Sequence, residues 1–171
     1  SRLVQKNDVF VAQKGVTVDG HQYIEKSIKL GASVVVCEAV PSNKKTGVTY
    51  VQVSDSNVAL AIIASNFYDN PSEKLQLVGV TGTNGKTTIA TLLYQLFKKA
   101  GYKVGLLSTV KIMVDDKEYK ATHTTPNSLA INEYLSLMIK TGVEFCFMEV
   151  SSHGIHQKRT EGLIVVCVVF T

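Results

Sequence analysis

The residue types and spacing of Thr81-Gly82-Thr83-Asn84-Gly85-Lys86-Thr87-Thr88 suit the binding of a polyphosphate. Glycines let successive backbone N–H groups turn inward on an anion, and a helix opening directly after them adds its positive N-terminal end. Lys86 offers a point charge for β- and γ-phosphates, and the Thr87 hydroxyl can ligate Mg²⁺. The loop is a variant: the strict G-x-x-x-x-G-K-[ST] pattern wants glycine where Val80 stands, and Gly79 and Gly82 flank that place instead. The alternative is a strand-to-helix turn that merely favours glycine.

Two further segments carry candidate chemistry. Thr124-Thr125-Pro126-Asn127-Ser128 opens a predicted helix, and Met148-Glu149-Val150-Ser151-Ser152-His153-Gly154 follows an apolar run. Ligands of an open parallel sheet collect at the carboxyl ends of its strands, which would bring Glu149 and Ser151 to the rim that carries the glycine loop. There a carboxylate can hold Mg²⁺, a hard ion that prefers oxygen; Glu149 could instead be an exposed acid paired with Lys or Arg. Thr125 reads equally as an N-cap with Pro126 at the first helical position. His153 and His156 lack a nearby third ligand for a metal. Arg159 presents a planar fork for a carboxylate or phosphate, or is a solvated surface side chain.

Apolar periodicity supplies the elements that must position these groups. Short strands are predicted over 8–12, 33–37 and 49–53, a helix from Tyr23 to Leu30 closed by Gly31, and a helix from Asn57 to about Asn70. After a boundary at Pro71-Ser72 come strands over 75–80, 104–107, 111–114, 143–150 and 163–170. Helices fall over 86–100 and 126–140, with Ile89, Leu92, Leu93, Leu96 and Phe97 apolar in one and Leu129, Ile131, Leu135, Leu137 and Met138 in the other. The expected class is α/β: a small N-terminal α/β domain over 1–72, then an incomplete P-loop-type parallel-sheet domain over 73–171 with helices on both faces. Cys37, Cys146 and Cys167 sit in apolar runs and are expected as buried, reduced thiols in strands, which points to the cytoplasm.

The 171 residues are 45% hydrophobic and 19% charged, a globular balance that excludes a disordered or collagen-like chain. The formal charge of +4 is scattered, which suits anionic ligands but forms no nucleic-acid tail. The run over 163–170 is too short to cross a bilayer, so neither membrane nor nucleic acid is an expected partner.

The TGTNGKTT loop, the TTP segment and MEVSSHGIHQKR together resemble the Mur ligase family. Ser1-Arg2, Asp8-Val9-Phe10-Val11-Ala12, Lys14-Gly15 and Asp19-Gly20-His21 extend the resemblance to nearly the whole chain, and it is strongest to the branch that adds the third residue of the peptidoglycan stem peptide. The resemblance implies an ATP- and Mg²⁺-dependent amide ligase that phosphorylates the carboxylate of UDP-MurNAc-L-Ala-D-Glu and lets an amino acid attack the acyl phosphate. It further implies that Ser1, Gly15, Val16 and Thr17 contact the UDP portion. Gly82, Thr83, Asn84, Gly85, Lys86, Thr87 and Thr88 would bind ATP, with Lys86 and Glu149 catalytic and Thr87 and Glu149 on the metal. Thr124, Thr125, Ser151, Gln157 and Arg159 would hold the muramoyl-dipeptide end. A carbamoylated lysine, a DHLD-like segment and the domain selecting the amino acid would lie beyond Thr171, making the chain an inactive fragment by itself. Two other readings remain: a non-catalytic P-loop nucleotide-binding module, and a ligase like folylpolyglutamate synthase.

Overall fold

The structure, a computed structural model, describes residues 3–15, 18–121 and 123–171. It divides into two compact units, Ser1–Leu60 and Ala61–Thr171. In the first, strands β1 (Val9–Val11), β2 (Val34–Cys37) and β3 (Thr49–Gln52) form a parallel sheet in the order β1-β2-β3. Helix α1 (Ile24–Leu30) ends where Gly31 takes φ +118 and returns its N–H to Ile28 O, a left-handed turn that glycine adopts without a Cβ penalty. Phe10, Ala12, Ile24, Ala32, Val35 and Cys37 make the core of this unit. Helix α2 (Ser56–Phe67) follows β3, and the division falls within it.

The second unit holds β4 (Gln76–Thr81), α3 (Lys86–Lys99), β5 (Val104–Leu107), β6 (Lys111–Val114), β7 (Lys117–Lys120), α4 (Ser128–Lys140), β8 (Phe145–Glu149), the short α5 (Ser152–His156) and β9 (Cys167–Phe170). Its sheet runs β7-β6-β5-β8-β4-β9. Strands β5, β8, β4 and β9 are parallel, whereas β6 and β7 are antiparallel additions. The sequence pattern missed β7, because Lys117-Glu118-Tyr119-Lys120 alternates only once and hides no apolar pair.

Successive side chains point to opposite faces of a strand, and the two cores follow that parity. Leu107, Cys146 and Met148 pack with Ile131, Leu135 and Met138 of α4, whereas Leu106 and Phe147 pack with Ala90 and Tyr94 of α3. The helices therefore cover both faces, as expected. Their buried stripes are narrower than the apolar pattern suggested, for Leu92 and Leu96 of α3 and Leu129 of α4 are exposed.

The cysteine expectation needs one correction. Cys37 and Cys146 are buried, and burial pushes both thiols up, but Cys167 is exposed. Among the described residues β9 lies at one edge of the sheet, opposite β7, and its apolar residues Val168 and Phe170 are exposed as well. An unbroken apolar run reads as a buried strand only when both sheet faces are covered.

Candidate functional site

Register decides what meets at the carboxyl ends of the parallel strands. Val80 lies beside Glu149 in the β4–β8 ladder, and Leu107 lies beside Met148 in the β5–β8 ladder. The segments leaving β4, β5 and β8 thus emerge together, and they carry the glycine loop, Thr109 and Glu149-Val150-Ser151.

The loop makes its turn at Gly82 (φ +138) and Gly85 (φ +80). At Gly82 a side chain has a second obstacle, since its Cβ would collide with the Thr171 carbonyl. Gly85 caps α3 with no side-chain acceptor, so the first-turn amides of that helix face the loop. Lys86 Nζ lies across the loop, donating to Gly82 O at 2.9 Å and Thr83 O at 3.4 Å. Thr83, Asn84, Gly85, Lys86, Thr87 and Thr88, joined by Thr109, Thr124 and Glu149, line an open cleft of about 330 Å³. This is a formed hollow rather than a closed strand-to-helix turn.

Glu149 is not the exposed, cation-paired acid that the sequence left open. It is fully buried, and its Oε1 accepts from Thr109 N at 2.8 Å. Its Oε2 accepts from the hydroxyls of Thr87 and Thr109, each at 3.0 Å. One amide N–H and two hydroxyls thus satisfy the two oxygens of a carboxyl group that water does not reach. The Thr87 hydroxyl and the Glu149 carboxylate face each other as two hard oxygen donors beside a phosphate-sized hollow, a set that fits Mg²⁺ sharing its remaining ligands with phosphate and water.

A second cleft, of about 540 Å³, adjoins the first through Thr109 and Thr124 and is lined also by Ala121, His123, Thr125, Ser151, His153 and Arg159. Thr125 is not the helix cap: Asn127 caps α4 by accepting from Ala130 N. The Thr125 hydroxyl, buried, donates to Glu149 O and accepts from Ser151 N, both at 3.0 Å. Ser151 itself caps α5 through Gly154 N. Gly154 approaches so closely that a Cβ there would lie 2.9 Å from Thr125 Cβ.

Arg159 is half-buried rather than a free surface cation. Its guanidinium donates to Thr125 O and, through Nε and Nη2, to Gln157 Oε1. Gln157 is not among the lining residues and is turned toward Arg159 and His153, so it steadies the lining arginine from behind. Thr109, His123 and His153 are lining residues that sequence reasoning did not nominate for this cleft. Thr109 had a usable signal, as the second hydroxyl residue after the apolar run of β5.

In the first unit, Gly15 N donates to Val18 O at 3.0 Å and Lys14 bridges Asp19, closing the base of the loop. Ser1, Val16 and Thr17, the other candidate UDP contacts, lie outside the described residues. Around that base runs a polar chain at the carboxyl ends of β1 and β2. His21 Nδ1 bonds Asp19 at 2.6 Å and its Nε2 accepts from Glu38 N at 2.9 Å; Glu38 accepts from Ser56 N and Oγ, and Ser56 Oγ accepts from Lys14 N. The two Ser56 bonds hold the Glu38 carboxyl below its ordinary value, as His21 does for Asp19. A carboxyl lowered by folding stabilises above its ordinary range, and that contribution is lost as pH falls through the lowered value. Glu38→Gln should therefore cost about 1 kcal/mol in urea melts at neutral pH, with the gap to the parent protein closing in acid; a gap constant with pH would contradict this.

Comparison with known proteins places these features in context. The family model described as "Mur ligase middle domain" matches residues 80–171, and "Mur ligase family, catalytic domain" matches residues 1–68. The chain is 56% identical over 164 residues to the UDP-N-acetylmuramoyl-L-alanyl-D-glutamate–2,6-diaminopimelate ligase of Cytophaga hutchinsonii, covering 95% of the chain and 34% of that protein. It is 50% identical over its whole length to the ligase of the same name from Bacteroides thetaiotaomicron, covering 36% of it. The chain thus spans about a third of the length of these relatives. A solved diaminopimelate ligase superposes with a TM-score of 0.83 at 24% identity over 99% of this chain and 34% of that one, a likeness of fold. The MurF ligase of Thermotoga maritima in complex with ADP superposes with a TM-score of 0.54 at 26% identity over 88% of this chain and 30% of that one.

Proposed function

Given that the chain belongs to the Mur ligase family, we propose that it forms the N-terminal and part of the central region of an ATP-dependent ligase. This ligase joins an amino acid to UDP-MurNAc-L-Ala-D-Glu in the cytoplasm. Relatives named as 2,6-diaminopimelate ligases favour diaminopimelate as that amino acid. The domain boundary we assign is at residue 72, with Gly15 and its loop on the UDP portion.

One observation carries the reading: the glycine-loop cleft and the cleft of Thr125, Ser151 and Arg159 adjoin, sharing Thr109 and Thr124. A phosphoryl donor in one and a carboxylate acceptor in the other would meet where the clefts join. ATP with Mg²⁺ would supply the phosphoryl group that activates the acceptor carboxylate for attack by an amine. Two anions must then approach each other, and the protein's part is positioning and charge neutralisation. The loop amides and Lys86 would face the phosphates, Thr87 and Glu149 would supply the metal's protein oxygens, and Arg159, steadied by Gln157, would attract the acceptor's carboxylate. A simple P-loop module has no use for the second cleft.

Isothermal titration with UDP-MurNAc-L-Ala-D-Glu tests this. We expect saturable heat that is lost when Arg159 and Thr125 are both replaced by alanine. Absence of heat with the parent protein would favour the nucleotide-binding module, and heat with a folate substrate instead would favour the folylpolyglutamate type.

A further inference from the structure

The tip of the β5–β6 hairpin is built more firmly than a surface turn requires. Ser108 is fully buried, its N–H and Oγ both donate to Lys111 O, at 3.1 and 2.8 Å, and its Oγ accepts from Lys111 N. These bonds fix the backbone at the next residue, Thr109. Thr109 then grips Glu149 at two points, N–H to Oε1 and hydroxyl to Oε2. Thr87 reaches the same Oε2.

We propose that Thr109 is a positioning residue that orients the Glu149 carboxylate toward Thr87 and so sets the divalent-cation affinity of the nucleotide cleft. The inference rests on reading that cleft as a nucleotide and Mg²⁺ site. Were Thr87 and Glu149 to hold a cation, the Thr87 oxygen would offer it a lone pair, and the hydroxyl bond to Glu149 would no longer fix the carboxylate. The two Thr109 bonds are then what prevents the carboxylate from rotating away. Groups that orient a metal's ligands in this way commonly govern affinity by about 10–100-fold. Thr109 also lines both clefts, so the contact that aims Glu149 sits where donor and acceptor would meet.

The test measures Mn²⁺ binding by electron paramagnetic resonance in the full-length protein with a non-hydrolysable ATP analogue, beside Mg²⁺ titrations of activity. Thr109→Val, which keeps the backbone bond and loses the hydroxyl, should weaken Mn²⁺ binding about tenfold. Thr109→Ser should restore it, and excess Mg²⁺ should recover kcat in the valine variant. Thr109→Ala removes the same hydroxyl without a branched side chain and should match the valine variant. Parent-like Mn²⁺ binding in the valine and alanine variants, with binding lost in Glu149→Gln, would overturn the role of Thr109 alone. A valine defect that serine does not repair would do the same. Parent-like binding in Glu149→Gln and Thr87→Val would instead overturn the metal-site reading.

Discussion

Lys86→Ala in a full-length ligase carrying this sequence is expected to lower kcat by at least 10²–10³-fold, the cost of deleting one preorganised charge donor at a reacting centre. Binding of the UDP-linked acid should be unchanged. Lys86 heads α3 and, among the described residues, donates to the loop carbonyls of Gly82 and Thr83 and to none that line the second cleft. Those two bonds hold a flexible ammonium over the hollow, and an arriving phosphate needs only to take over its donors. Steady-state kinetics beside titration of the UDP substrate separates the two effects. Unchanged turnover would remove Lys86 from the mechanism, and loss of both activities would show that the variant had disturbed the loop rather than the charge.

The second large effect is expected from Glu149→Gln. The site presents one amide N–H to Oε1 and two hydroxyls to Oε2, so a glutamine can keep the amide bond and donate from Nε2 to hydroxyls that turn to accept. The substitution trades bonds to a carboxylate for weaker ones to an amide, at a cost of about 1 kcal/mol in stability. It also removes the negative charge proposed to hold the cation, so kcat at ordinary Mg²⁺ should fall by about 10²-fold or more. Urea melts and Mg²⁺ titrations read the two consequences independently. A variant that is destabilised yet active with the parent Mg²⁺ requirement would make Glu149 a structural residue only.

Much of the fold is legible in the amino-acid sequence itself. Apolar runs of strand length located β4, β5 and β8, and helical periodicity located α3 and α4, because burial on a sheet face or helix stripe requires those spacings. The strand β7 was not readable, since a four-residue polar edge strand exists by pairing with β6 rather than by burying anything. The exposure of Cys167 was misread for a related reason: an apolar run records what a strand could bury, and not whether anything packs on it.

At the site, local chemistry identified the glycine loop, Lys86 and Thr87 as candidates, because a turn, a charge and a hydroxyl in consecutive positions are a property of the chain itself, and Glu149 followed from its place at the end of an apolar run. The sequence could not say whether Glu149 was an exposed acid or an enclosed ligand, nor whether Thr125 capped a helix. Those answers lie in the register of β4, β5 and β8, which carries Thr87, Thr109 and Glu149 to one point across separations of 62 and 40 residues. Composition and periodicity determine which segments become strands and helices, through local backbone preference and apolar burial. Only the assembled sheet decides which strand ends are neighbours, since long-range pairing depends on the packing of the whole unit and leaves no mark at any one position.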